Sequence, residues 1–382
     1  MPAGDRRLGV DPSSHQSNSP GPRTSPLKRG LNLTLLTLYG LGVTIGAGIY
    51  VLVGAVAAEA GTFAPIAFMV AAAGVAFTAF SYAELATRYP VAAGEAAYVR
   101  AGFNSRGLSL LVGLMITVTG VVSSAAVSIG GAAYLRHFVP IPTEALTTLI
   151  ILVLGAGAVW GIVESIVAAS ILTLVEIGGL GLAIYQGVSM TPDMITRLDT
   201  VVPPLEAGAW TGILAASVIA FFAFIGFEDI VNVAEEVKNP TRTLPRAIVL
   251  TLLITTILYI IVVSVAVLAL PLDELAGSPA PLALLFGPDA EVTGDLFNGI
   301  AAAASINGVL VQIIMASRVL YGLAAQGSVP ARLRLAYVSP STRTPVIATT
   351  LVAALSLSLA LLFPIAELAA ATSQVVLLVF AI

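Results

Sequence analysis

Apolar residues occur along this chain in long runs separated by short polar stretches, without the alternation of a half-buried strand or the single stripe of a surface helix. From Leu31 onward ten runs stand out, at about 34–58, 63–87, 108–134, 143–161, 165–187, 210–236, 245–270, 297–325, 346–363 and 367–382. Most are long enough to cross a bilayer, since about 20 residues at 1.5 Å rise span the hydrocarbon. The pattern predicts an all-α integral membrane protein, with residues 31–382 forming one transmembrane core of about ten helices. The tenth run stops at Phe380-Ala381-Ile382 with neither polar flank nor positive anchor, and reads as a helix cut short. Residues 1–30, rich in Pro, Ser, Gly and Arg, read as a disordered cytoplasmic tail. They lack the short apolar core and small-residue cleavage site of a signal peptide.

Two of the runs are interrupted by glycine: Thr44-Ile45-Gly46-Ala47-Gly48-Ile49 in the first, and Phe221-Phe222-Ala223-Phe224-Ile225-Gly226-Phe227-Glu228 in the sixth. A helix that unwinds at membrane depth frees N–H and C=O groups that hydrocarbon cannot satisfy, so they must line a cavity enclosed by protein. At the first break the new helix N-terminus, Gly46 to Ile49, offers N–H groups and a partial positive charge suited to a carboxylate. The preceding half-helix ends near Thr44 with carbonyls suited to an ammonium. A zwitterion matches the pair. The alternative is that these glycines serve helix packing, since Gly42 and Gly46 also satisfy the small-xxx-small spacing. Five runs precede the second broken one and five begin with it. Five is odd, so the halves sit in opposite orientations, giving a five-plus-five inverted repeat with helices one and six broken.

Composition narrows the chemistry. With 58% hydrophobic and 10% charged residues and a mean hydropathy of +0.99, the chain leaves the soluble class. It has no cysteine and two histidines, His15 and His137, so disulfides and thiolate or multi-histidine metal sites lack ligands. No cofactor or metal is expected. All but Arg136 and Arg197 of the 17 Lys and Arg fall on one side if the N-terminus is cytoplasmic, and the positive-inside rule favours that orientation. The loop between runs seven and eight, with Asp273, Glu274, Asp289, Glu291 and Asp295 and no base, falls outside. The bases form no nucleic-acid footprint, and no phosphate-gripping Gly-x-x-x-x-Gly-Lys-Ser/Thr loop occurs.

The acids within apolar runs are the remaining candidates. Glu228 and Asp229 directly follow Gly226, where an acid at membrane depth needs a cavity, a partner or a proton path. Of these two, Glu228 is the stronger candidate, read as a proton-coupling group; its alternative is capping of the second half-helix. Phe222 reads as a lid over a substrate or as ordinary packing. Glu176, midway along the fifth run without an evident charged partner, reads as a proton-coupling group, against a permanently protonated acid bonded to another helix. Glu84 and Arg88, one turn apart, read as a structural pair. The stretch Ala234-Glu235-Glu236-Val237-Lys238-Asn239-Pro240 reads as a solvated, charged elbow.

Gly42-Val43-Thr44-Ile45-Gly46-Ala47-Gly48-Ile49-Tyr50 resembles the Gly-x-x-Ile-Gly-x-Gly-Ile-Phe signature of the amino acid–polyamine–organocation permeases. Phe221 through Pro240, with Arg242-Thr243-Leu244-Pro245, is similar to that family's Phe-Phe-Ala-Phe-x-Gly-Phe-Glu segment and its tail. Tyr82-Ala83-Glu84-Leu85, Pro90-Val91-Ala92-Ala93-Gly94 and Met315-Ala316-Ser317-Arg318-Val319-Leu320-Tyr321-Gly322 extend the resemblance, which leans towards the branch resembling cationic amino acid transporters. It implies a LeuT-type fold and transport of amino acids or related amines, often by proton symport or exchange. It implies Thr44, Phe222 and Ile225 around the substrate amine, and Gly46, Ala47 and Gly48 around its carboxylate, while Ile45 and Gly226 complete the two breaks. Phe222 resembles the family's aromatic gate, and Glu228 a charged position implicated in some members. Cationic relatives carry a lysine where this chain has Glu176, and many members have twelve or more spans.

The expected partners are an amino acid, a coupling ion, here a proton, and the bilayer. Sodium coupling is the alternative, for which Ser305 and Asn307 in the eighth run offer oxygens. An inactive truncated permease also stays open, and a membrane enzyme is disfavoured because intramembrane His, Asp and metal-ligand clusters are lacking.

Overall fold

The computed structural model describes residues 27–278, 281–286 and 291–381, so most of the expected tail lies outside the described residues. In chain order the helices are α1 (Leu33–Ala60), α2 (Ala64–Arg88), α3 (Gly94–Phe103), α4 (Arg106–Leu135), α5 (Thr143–Trp160), α6 (Ile162–Met190), α7 (Ala207–Phe222), α8 (Pro240–Ala269), α9 (Leu272–Gly277), α10 (Glu291–Ala325), α11 (Val346–Leu362) and α12 (Ile365–Ala381). A 3-10 stretch, Phe227–Glu236, continues α7 beyond a turn, so that the two form the sixth run. The ten apolar runs thus correspond to α1, α2, α4, α5, α6, α7 with its 3-10 continuation, α8, α10, α11 and α12. Seven helical stretches of the described residues are long and apolar enough to cross a membrane, and Leu33–Gly46 and Val346–Leu362 are shorter apolar helices.

Local chemistry sets the boundaries. The Asn32 side chain caps α1 by accepting the Leu35 N–H (2.9 Å), and Ser105 caps α4 through the Leu108 N–H (3.2 Å). Pro65 opens α2 and Pro240 opens α8, where a missing N–H costs nothing.

The two halves pack alike. Exchanging them turns the contact of α1 with α8 into that of α7 with α2, and α6 on α10 into α12 on α4. The same exchange turns α5 on α10 into α11 on α4, and α5 on α4 into α11 on α10. This pairing is independent of the glycine breaks and gives the repeat a second footing. The two broken helices lie against each other at its centre.

Two expectations are corrected. The stretch after the sixth run is no solvated elbow: Val233, Ala234, Glu236 and Val237 are buried, and Glu236 meets Arg318 in a pair with both side chains 0% exposed. Arg318, counted above among the bases on the cytoplasmic side, is therefore inside the bundle. Its Nε and Nη2 donate to the two Glu236 carboxylate oxygens at 3.3 and 3.2 Å, and its Nη1 donates to Ser317 Oγ at 2.9 Å. Glu84 and Arg88 do pair across one helical turn. At the sixth run's end the chain also bonds to the segment before α1: the Gly30 and Leu31 N–H groups donate to the Glu236 carbonyl, and the Lys238 N–H donates to the Leu31 carbonyl (3.0, 3.1 and 2.8 Å).

Candidate functional site

Both glycine interruptions are breaks. Inside α1 the backbone leaves helical dihedrals at Gly46 (φ 10°, ψ −161°), and a Cβ added there would meet nothing within 4 Å. In the sixth run α7 tightens through 3-10 bonds from Phe224 N–H to the Phe221 carbonyl and from Ile225 N–H to the Phe222 carbonyl, and the chain then turns at Gly226. Gly226 has φ 126° and ψ −22°, and a Cβ there would lie 2.8 Å from Val43 Cγ1 and 3.1 Å from the Val43 backbone. Glycine is needed on both counts: the dihedral disfavours a side chain, and the first break fills the space where one would stand.

A cavity of about 250 Å³ opens between the breaks, with Thr44, Gly46, Phe222, Ile225, Gly226 and Glu228 among its walls. The structure therefore brings together six of the ten residues singled out from the sequence. Ile45 is fully buried and is not among the lining residues. Ala47 and Gly48 continue the helical backbone, and their surroundings lie outside the described residues. Phe222 is 46% exposed, in keeping with a ring at the edge of the opening.

Glu176 is not among the residues lining this cavity. It is fully buried on α6, and its Oε1 accepts from Asn307 Nδ2 on α10 (2.9 Å), which also donates to Thr173 Oγ1 (3.0 Å). Tyr50 of α1 donates to the Glu176 backbone carbonyl at 3.0 Å. Its partner is thus a neutral amide. Glu176 Oε2 and Asn307 Oδ1 are buried without a hydrogen-bond partner. Glu228 turns back on its own segment, accepting the Gly226 N–H at 2.8 Å.

Three groups missed by the sequence reading complete the site. Tyr259 of α8, fully buried, shares its hydroxyl proton between the Thr44 carbonyl (2.8 Å) and the Ala223 carbonyl (3.0 Å), one from each break. The carbonyl expected to be free for an ammonium is thus already engaged from behind, with one lone pair left over. A tyrosine in an otherwise apolar run is the signal that could have found it, because a buried phenol seeks a partner. Gln312 Nε2 of α10 donates to Asp229 Oδ2 (3.1 Å). On α3, outside the spanning helices, Glu95 lines the same cavity and accepts from Asn232 Nδ2 at 3.2 Å, and burial pushes its carboxyl up to about 8. Asn232 Oδ1 in turn accepts the Gly94 N–H, fastening α3 to the second half of the sixth run.

Helices that pack in two exchangeable halves, with the broken first and sixth runs facing each other across a cavity, define a secondary transporter. The sequence model for "Amino acid permease" matches residues 31–382, and the chain belongs to that family. It is 30% identical to the branched-chain amino acid permease BcaP of Bacillus subtilis over 361 residues, covering 90% of this chain and 77% of that protein. It is 31% identical over 402 residues to the vacuolar cationic amino acid transporter 4 of Arabidopsis thaliana, covering 98% of this chain but 65% of that protein. The methylthioribose transporter of B. subtilis is 29% identical over 89% of this chain. Among solved structures, the substrate-bound outward-open state of a Na+-coupled sialic acid symporter matches with a TM-score of 0.64 at 16% identity, covering 92% of this chain and 77% of that one. Its likeness is one of fold, and that fold is the LeuT type. The protein is an amino acid permease of this fold, a multi-pass integral membrane protein.

Proposed function

We propose that the cavity binds the zwitterionic head of an α-amino acid and carries it across the membrane with a proton, in symport or exchange. The observation that carries this reading is the confrontation of two helix breaks across one cavity, which supplies backbone donors and acceptors to a ligand bearing both charges. In this reading Thr44, Phe222 and Ile225 surround the amine, Gly46 to Gly48 receive the carboxylate, and Phe222 covers the site. One named relative is a branched-chain and another a cationic amino acid carrier, so in this reading the cavity wall and not the backbone decides the side chain. Uptake of a panel of labelled amino acids into proteoliposomes, with and without a pH gradient, tests the proposal; no gradient-driven accumulation of any of them would refute it.

Proton coupling falls to Glu176. A carboxyl sealed from water and held by a neutral amide of α10 has no cation to stabilise its charge, while the backbone carbonyl of the same residue holds Tyr50 of α1. Glu176→Gln keeps the shape and removes only the titratable group, so uptake is expected to lose its dependence on external pH while the protein stays folded. An unchanged pH profile would leave Glu176 a structural bond and move coupling to Glu228. Sodium is the second reading, favoured by the unpartnered oxygens of Glu176 and Asn307. Replacing sodium with choline at constant pH distinguishes the two.

The N-terminus lies in the cytoplasm in this scheme. Single cysteines at Asp273 and at Arg332, in a background without native cysteine, are expected to react with an impermeant thiol reagent from opposite sides. Labelling of both from one side would overturn the orientation.

A further inference from the structure

A second cavity, of about 440 Å³, lies apart from the transport site, where Lys28, the α5–α6 turn with Trp160 and Glu164, and the α10–α11 loop at Ser341, Thr342 and Arg343 converge. The loop is held to a fixed shape. Thr344 Oγ1 donates to the Val159 carbonyl at the end of α5 (2.7 Å), the Arg343 N–H donates to the Ser339 carbonyl (2.9 Å), and Arg343 adopts the left-handed conformation (φ 54°). Lys28 Nζ is 3.9 Å from Glu164 Oε1, whereas the Arg343 guanidinium has no ion-pair partner among the described residues. Trp160, 77% exposed, ends a membrane-crossing helix whose Leu149, Leu152 and Val153 are also exposed.

We propose that this cavity binds the headgroup of an aminophospholipid, with the phosphate between Lys28 and Arg343 and beside the Ser341 and Thr342 hydroxyls, and the primary ammonium on Glu164. Two cations and one carboxylate around one space reject simpler ligands. A bare anion would face Glu164, and a bare amine would face Arg343. A headgroup with both charges satisfies each wall, and the guanidinium fork suits phosphate oxygens. The source is a lipid and not a soluble phosphate compound because of the place: an exposed indole at a helix end marks the membrane–water boundary, and the apolar flank of α5 continues from it as a bed for acyl chains.

The test uses the full chain in vesicles of equal phosphatidylethanolamine, phosphatidylglycerol and phosphatidylcholine, followed by detergent extraction and mass spectrometry of the lipids retained. Phosphatidylethanolamine is expected to be enriched on the wild-type protein. Arg343→Ala should lower its retention about fivefold, the worth of one cation at a membrane surface. Glu164→Gln should remove the preference over phosphatidylglycerol without lowering retention of the latter. Equal retention of all three lipids by the wild type would overturn the proposal, as would displacement of the lipid by soluble phosphoethanolamine. Should a variant fail to fold, the chain's two tryptophans allow a second measurement. In Trp210→Phe protein, Trp160 emission should respond to phosphatidylethanolamine and not to phosphatidylglycerol, and an equal response would refute the site.

Discussion

Gly226→Ala is expected to reduce uptake to background while leaving most of the protein monodisperse in detergent. Alanine at φ 126° is held in a region almost confined to glycine, which costs about 1–3 kcal/mol. Its Cβ would also stand 3.1 Å from the carbonyl carbon and oxygen of Val43, which are backbone atoms and cannot rotate aside. Relief requires the two breaks to move apart, and that movement displaces Thr44 and Ile225, the walls proposed to hold the amine. The strain thus falls on the cavity rather than on the packing of the bundle, so binding is lost before folding is. Uptake measured beside size-exclusion profiles checks this. Normal affinity in Gly226→Ala would show that the breaks need not meet.

Arg318→Met is expected to cost stability on the order of 3–5 kcal/mol, because it leaves the Glu236 carboxylate buried without its cation. The double change Arg318→Met with Glu236→Leu should recover most of that loss, since an apolar pair of similar volume escapes the desolvation cost of two buried charges. Melting temperatures in detergent for the two single variants and the double one form the test. If the double variant melts as low as Arg318→Met alone, the pair is not an isolated couple and its charges serve other partners. The double variant should still be impaired in transport, because the pair fixes the segment that carries Asp229 and Asn232 beside the cavity.

The helices were readable in the sequence because a bilayer demands contiguous apolar runs, and the breaks because glycine within such a run has few other uses. The short α3 was not, since ten residues containing Glu95 and Arg100 give no comparable signal. Where the reading fell short, the missing information was a contact distant in the chain. Glu176 looked alone because Asn307 lies 131 residues away, and Thr44 looked open because Tyr259 lies 215 residues away. Arg318 was itself legible as an arginine within an apolar run, a default sign of importance in membranes. Glu236 was misread because two adjacent acids before a lysine look solvated, and only the distant guanidinium makes burial tolerable.

The backbone bonds that join residues 30 and 31 to residues 236 and 238 tie the entrance of the first broken helix to the exit of the second. These two ends belong to opposite halves of the repeat, yet they form one mechanical joint. A displacement of either end is delivered to the other through main-chain atoms, which do not depend on which side chains occupy these positions. The joint acts as a yoke: the two stretches can part there only where these main-chain bonds break.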